Sequence, residues 1–316
     1  MNNKLFLGCC LMLLIHLLLA TKAYAWHAGG HTRICQAAIV RLPPDMPAFF
    51  SNTEAQETIA HLSIDPDCYK HEALPQLSQT ESPEHYMDYE LVTGLTLPQQ
   101  RYDFLAMCYE KKLNPQKVGT LPYAITEWAQ RLTMAFAEHR RWPRDLSIQV
   151  KCHVYAGILA HYVGDLVQPL HCTVHHDGRM GPDGKMEAHG IHHKVDHVIE
   201  ALQLDTLVCT SDVKPLVIHD SIFTAMLEQI RLSNQQVDQV YALADRWPDR
   251  HTSPVDKPDP QVHRMAVAFL RHGAALTAGL FLRAWEDSAS IHLPNWQIQE
   301  RTEPTVQTIP AHVFRD

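Results

Sequence analysis

A chain of 316 residues with 46% hydrophobic side chains is long and apolar enough to bury a sizeable core. Its 27 Lys and Arg against 35 Asp and Glu leave a formal charge of −8. That balance excludes a broad basic face of the kind that grips duplex nucleic acid, although a local cationic centre could still attract a phosphate.

Residues 1–25 read as a secretory leader. Lys4 supplies the charged start, Leu5 to Leu19 the apolar core, and Ala23-Tyr24-Ala25 the small-x-small cleavage site. The apolar run is short and ends in a processing site, which disfavours a retained membrane helix. Gly8-Cys9 faintly resembles a lipoprotein signal, but cleavage there would leave no apolar region ahead of it. The mature chain is expected to begin at Trp26, to be more negative by the loss of Lys4 and Lys22, and to be periplasmic or secreted. It keeps Cys35, Cys68, Cys108, Cys152, Cys172 and Cys209. An even count in an oxidising compartment permits up to three disulfides, with buried free thiols as the alternative. None has CxxC spacing, which argues against a cysteine zinc site.

Apolar periodicity predicts helices over Thr32 to Arg41, Pro122 to Glu138, Val150 to Gln168, His192 to Leu202, Ile222 to Ala244 and Val262 to Glu286. The last has Met265, Phe269, Ala274, Leu276 and Leu280 available to pack inward. Strand-like alternation is scarce, and no repeat or Gly/Ser linker divides the chain. The expected fold is therefore all-α, a single compact multi-helix domain over residues 26–290. Residues 291–316, with Pro294, Pro304 and Pro310, read as a loosely attached tail.

The most informative stretch is His161-Tyr162-Val163-Gly164-Asp165-Leu166-Val167-Gln168-Pro169-Leu170-His171. His161 and Asp165 are four apart on a predicted buried helix, so both side chains leave one face a turn apart. Pro169 cannot continue that helix, and the bend it forces can swing His171 back toward the same point. Two imidazoles and a carboxylate converging there suit zinc, which accepts nitrogen and oxygen donors together. His192 and Asp196 repeat the spacing one loop later. One such pair alone reads as a surface ion pair; two pairs with His171 do not. His71-Glu72 fails as a metalloprotease motif because Pro75 stands where its second histidine is required. His27, His153, His175, His176, His189 and His197 are expected to orient ligands or face solvent, since a zinc site needs only three or four protein donors.

This stretch resembles the central motif of a superfamily of three-zinc phosphodiesterases. That superfamily comprises secreted single-strand-specific nucleases and zinc-dependent bacterial phospholipases C. Further pieces fall in the family's order: Trp26-x4-His31, Asp67, His85 within Glu84-His85-Tyr86-Met87-Asp88, and His192-x3-Asp196. Leu42-Pro43-Pro44-Asp45-Met46 and Asp65-Pro66-Asp67 are similar to a bacterial branch labelled phospholipase C-like. The resemblance spans Trp26 to roughly Glu286.

It implies a cleft holding three zinc ions. One would be held by Asp67, His85, His161 and Asp165. A neighbour would take the amino group and carbonyl of Trp26, with His31 and a shared Asp165. The third would use His171, His192 and Asp196. An α-amino group, with a pKa near 8, becomes a neutral ligand readily, and a carboxylate has two oxygens with which to bridge two metals. Asp65 competes with Asp67, which Lys70 favours by following it at three residues. His193 competes with His192, and only His192 lies one turn from Asp196. The implied nucleophile is a zinc-activated hydroxide, with Asp67 orienting it or acting as base, and Asp165 as the other catalytic carboxylate. Tyr86 and Asp88 are the implied substrate-binding pair, with packing as their alternative role. Three functions follow: a nuclease and 3′-nucleotidase on single-stranded DNA or RNA, favoured by Trp-x4-His and by Asp196; a phospholipase C acting on phospholipid head groups, favoured by the bacterial-branch segments; and a zinc-binding protein without catalysis. No obligate protein partner is implied.

Overall fold

In the computed structural model, which describes residues 28–181, 183–249 and 255–300, seven helices of ten residues or more set the architecture. They are α1 (Ala28–Val40), α2 (Thr53–Leu62), α3 (Arg101–Glu110), α4 (Leu121–Arg141), α5 (Leu146–Val167), α6 (Ile222–Asn234) and α7 (Pro260–Asp287). The sole sheet among the described residues pairs Arg179–Met180 with Met186–Glu187, antiparallel. The fold is all-α and compact. Residues 1–27, with the expected leader and Trp26, and residues 301–316 lie outside the described residues.

Helix α5 is the axis on which the site is built. Asp145 caps it, its Oδ1 accepting the amides of Ser147 (2.9 Å) and Ile148 (3.4 Å). From Ala156 to Val167 every residue is buried, because α1, α2, α4, α6 and α7 all pack against it. Gly157 permits the tightest of these approaches. A Cβ there would fall 2.6 Å from the Leu62 Cβ and 2.9 Å from the Ile59 carbonyl oxygen of α2. The helix stops where Gln168 turns extended ahead of Pro169, and the chain continues as a short 3₁₀ turn, Pro169–Cys172.

Helix α7 begins under a cap of the same kind, Asp259 Oδ1 accepting the amides of Gln261 (2.8 Å) and Val262 (3.2 Å), with Pro260 in its first turn. Phe269, Ala274, Leu276 and Leu280 are buried as expected; Met265 packs partly buried at the edge.

Two helix expectations differ from the structure. The helix expected over His192 to Leu202 is two short ones, Ile191–Asp196 and Val198–Ala201, separated at His197. The helix expected over Ile222 to Ala244 breaks after Asn234 and resumes as Val237–Tyr241. There the Asn234 amide donates to Glu90 Oε1 (2.6 Å) and to the Cys172 carbonyl (2.8 Å), and Ser233 and Asn234 are weaker helix formers that do little to resist the break. Residues 291–300, read as the start of a loose tail, carry the helix Asn295–Glu300. Gln297 donates to Glu138 Oε1 (2.9 Å), and Leu293 and Ile298 pack against the core.

The six cysteines are free thiols, so the expected disulfides are absent among the described residues. Cys35, Cys108, Cys152 and Cys172 are buried among apolar side chains, where burial raises their thiols, Cys152 to about 12.

Candidate metal centre

Six elements deliver the histidines and carboxylates to one place, the 3₁₀ turn Pro169–Cys172 with His171 and the helix Ile191–Asp196 with His192 and Asp196 among them. Helix α5 presents His161 and Asp165 from adjacent turns, α1 presents His31, the short helix Asp65–Tyr69 presents Asp67, and the 3₁₀ turn Ser82–His85 ends in His85. Asp165 is the hub. Its Oδ2 lies 2.9 Å from His85 Nδ1 and 3.4 Å from His161 Nε2; its Oδ1 lies 3.5 Å from His31 Nε2 and 3.7 Å from His171 Nδ1. Asp67 Oδ1 stands 3.9 Å from both His85 Nδ1 and His161 Nε2, and 2.7 Å from Lys70 Nζ. The bend at Pro169 does return His171 to the site. Its Nε2 is 3.8 Å from Asp196 Oδ1, while His192 Nε2 is 3.1 Å from Asp196 Oδ2.

Three groups thereby form, each with donor atoms within 4.8 Å of one another: His31, His161 and Asp165; Asp67, His85 and His161; His171, His192 and Asp196. Every sequence-selected donor among the described residues falls in one of them. Of the competing pairs, Asp67 and His192 are brought in, and Asp65 and His193 are not.

Several contacts orient these donors. His161 Nδ1 donates to the Ser63 carbonyl (2.8 Å), His171 Nδ1 to the His85 carbonyl (2.8 Å) and His192 Nδ1 to the His176 carbonyl (3.3 Å). A carbonyl only accepts, so each Nδ1 carries a proton, and in the neutral ring the lone pair is on Nε2. The Gln168 amide donates to Asp196 Oδ1 (2.7 Å) while its Oε1 accepts the Leu170 amide (2.6 Å). Sequence reading passed over Gln168; its signal was an amide side chain in an otherwise apolar run ahead of Pro169. It used Lys70 only as a spacing marker. It also missed Glu81, whose carboxylate binds the Tyr162 hydroxyl and lies 3.6 Å from His85 Nε2.

The electrostatics are those of a site made for cations. His31, His161, Asp165 and Asp196 are at most 1% exposed. Asp165 is held well below the usual carboxylate range: burial alone would raise it, and His171 and His161 outweigh burial. Asp196 is lowered likewise, chiefly by His192. Burial, reinforced by His161, pushes His31 down to about 3, so its imidazole is neutral at physiological pH. Yet His31 Nε2, Asp165 Oδ1, His171 Nε2, His192 Nε2 and Asp196 Oδ2 are buried without a hydrogen bond. Buried polar atoms left so are costly unless something else binds them. Imidazole nitrogens mixed with carboxylate oxygens fit zinc.

Gly164 belongs to the site through its missing side chain. A Cβ would lie 2.7 Å from His31 Nδ1, and the His31 ring stacks on His161 with centroids 3.8 Å apart, so it has nowhere to retreat. Gly164→Ala is expected to displace that ring, lowering kcat at least about tenfold and costing about 1–3 kcal/mol of stability. Rates and thermal midpoints measured side by side check this, and an unchanged kcat would show that the ring position does not matter.

Tyr86 and Asp88 are half-buried on the segment leaving His85. Extended backbone at Tyr86 turns alternate side chains to opposite sides, and Met87 is the one fully buried. The Tyr86 hydroxyl donates to the Gln116 carbonyl, which fixes its ring. Burial, with Glu90, pushes Asp88 up to about 7. Of the remaining histidines, His153 binds the Phe49 carbonyl (2.9 Å), His175 and His189 are exposed, and His197 pairs with Glu200 (2.8 Å).

A family model described as S1/P1 Nuclease matches residues 26–200, more than half of the chain. No curated protein matches. Among solved structures, the alpha toxin from Clostridium absonum is similar at 13% identity and a TM-score of 0.45, over 85% of this chain. The chain spans 65% of the toxin's length.

Proposed function

Since the chain belongs to the S1/P1 nuclease family and is on that footing a phosphodiester hydrolase, we propose that it cleaves single-stranded DNA or RNA, and 3′-nucleotides, as a secreted zinc enzyme. The observation that carries this reading is the cluster around Asp165, where four histidines and Asp67 converge and His31 Nε2, Asp67 Oδ1, Asp165 Oδ1 and His171 Nε2 are buried with no hydrogen-bond partner. Asp67, His85, His161 and Asp165 would hold one zinc, and His31 and Asp165, with the terminal amine of Trp26, a second. His171, His192 and Asp196 would hold the third. When bound, zinc acts as a Lewis acid toward a phosphoryl oxygen and lowers the pKa of a ligated water to about 7.

The chain's own groups then have distinct work. Asp165 would offset the charge of neighbouring cations, and its burial would strengthen that attraction. Asp67 is lowered by His161 and Lys70 against the effect of burial, so it is ionised at neutral pH and able to orient a water molecule and hold its proton. Lys70 keeps Asp67 in place and adds positive charge where a phosphodiester would approach. Tyr86 offers a ring to stack on a base, and Asp88 a carboxyl to hydrogen-bond its edge.

A side-by-side assay of the zinc-loaded chain beginning at Trp26 tests this. Single-stranded DNA, RNA and phosphatidylcholine vesicles are the three substrates. Nucleic acid alone is expected to be hydrolysed. Release of phosphocholine with the nucleic acids intact would overturn the substrate, and no hydrolysis of any of them would overturn the phosphodiesterase itself.

A further inference from the structure

We propose that Tyr241 is a positioning residue for the third donor group: its hydroxyl clasps residues 175–178, and that segment holds His192 in place beside His171 and Asp196. This rests on the reading of the site above. His192 is tethered twice, and both tethers end in the same segment. Its ring Nδ1 donates to the His176 carbonyl (3.3 Å) and its backbone amide to Asp177 Oδ1 (3.2 Å). Residues 175–178 belong to no helix or strand, so no ladder of their own fixes their backbone. Whatever fixes that segment therefore fixes His192.

One phenol does so. The Tyr241 hydroxyl donates to the His175 carbonyl (2.6 Å) and accepts the Gly178 amide (2.9 Å). A hydroxyl has one proton to give and lone pairs to receive with, and both capacities are used here. The two bonds meet the segment at its first and last residues, so His176 and Asp177 are held between them. The ring is itself held: it is 7% exposed, and the Arg179 guanidinium lies over it at 4.3 Å while Arg179 Nη1 donates to Asp238 Oδ1 (2.6 Å). Gly178 sits at φ 112°, backbone that only glycine adopts freely, where the chain leaves the clasp for the strand Arg179–Met180.

The same element reaches the other side of the group. Tyr241 closes the short helix Val237–Tyr241, which the break after Asn234 sets off from α6, and this helix packs against the 3₁₀ turn Pro169–Cys172 that carries His171. One element thereby bears on both histidines of the group, whose ring centroids stand 4.8 Å apart. Their Nε2 atoms make no hydrogen bond, so each ring is oriented from behind, through its Nδ1. Removing the Tyr241 hydroxyl leaves the ring and its contact with Arg179, and frees residues 175–178 to shift with His192.

The test uses the full chain, expressed with native processing and loaded with zinc. Zinc per chain against a graded chelator, and the thermal midpoint, are measured for the native protein, Tyr241→Phe and Phe104→Leu. Tyr241→Phe is expected to give up one zinc at a chelator concentration about tenfold lower than the native protein requires, and to regain it in excess zinc. Phe104→Leu trims a wholly buried side chain on α3, which carries no donor; it is expected to lower the midpoint and hold zinc as tightly as the native protein. A Tyr241→Phe protein that loses midpoint but keeps its zinc overturns the proposal. Equal zinc loss from both variants does the same. Hydrogen exchange on the native protein needs no variant: the Gly178 amide is expected to be protected, and free exchange there overturns the clasp even if Tyr241→Phe fails to fold. A native protein that binds no zinc overturns the reading of the site, and this inference with it.

Discussion

Asp165→Asn is expected to lower phosphodiester hydrolysis at least about 100-fold, more than any other single change in the site. The substitution keeps the shape of the side chain and removes its charge. In the native protein that charge faces His31, His85, His161 and His171 at 2.9–3.7 Å, and the residue is wholly buried. An amide presents only one oxygen, so it cannot bridge two cations, and the repulsion between them would go unopposed where the dielectric is low. Zinc content should fall together with the rate. His175→Ala is the control: His175 is exposed and belongs to none of the three donor groups. Its rate is expected to stay within about twofold of native, as for ordinary surface substitutions. Initial rates and zinc content for the two variants, with circular dichroism to confirm the fold, make the comparison. Equal losses in both would mean that the hub lies elsewhere.

What could be read from the sequence and what could not divide along a physical line. His161 and Asp165 were legible because a helix turns four residues into one face. The return of His171 was legible because Pro169 admits no continuation. His31, Asp67 and His85 sit on separate elements, and no periodicity connects them to Asp165; only the order of motifs shared with a family linked them. Contacts that orient the donors escaped for the same reason. The Ser63 carbonyl meets His161 across 98 positions, and the His85 carbonyl meets His171 across 86. The helix expected over Ile222 to Ala244 failed where apolar spacing ran on but a side chain with distant partners interrupted the backbone. Asn234, bound to Glu90 and Cys172, is that side chain.

Removing metal is expected to abolish hydrolysis and also to lower the thermal midpoint by on the order of 10 °C. The second effect follows from what the protein contributes to the site. Two wholly buried carboxylates, Asp165 and Asp196, each keep one oxygen without a hydrogen bond, beside the equally unbonded Nε2 atoms of His31, His171 and His192. Each such atom costs about 1–3 kcal/mol when nothing satisfies it. Binding to the folded chain alone adds about 4 kcal/mol of stability for each site at a ligand concentration a thousand times its dissociation constant. Helix α5 carries both His161 and Asp165 and packs against α1, α2, α4, α6 and α7, so loosening at the site is transmitted through the middle of the core. Calorimetry with and without a chelator measures the shift. Zinc should restore the midpoint and the activity together. Magnesium, which prefers six oxygens in near-octahedral geometry, should restore neither at a nitrogen-rich site. A midpoint indifferent to chelation would mean that these buried donors are satisfied without metal, and the assignment of all three groups would fall at once.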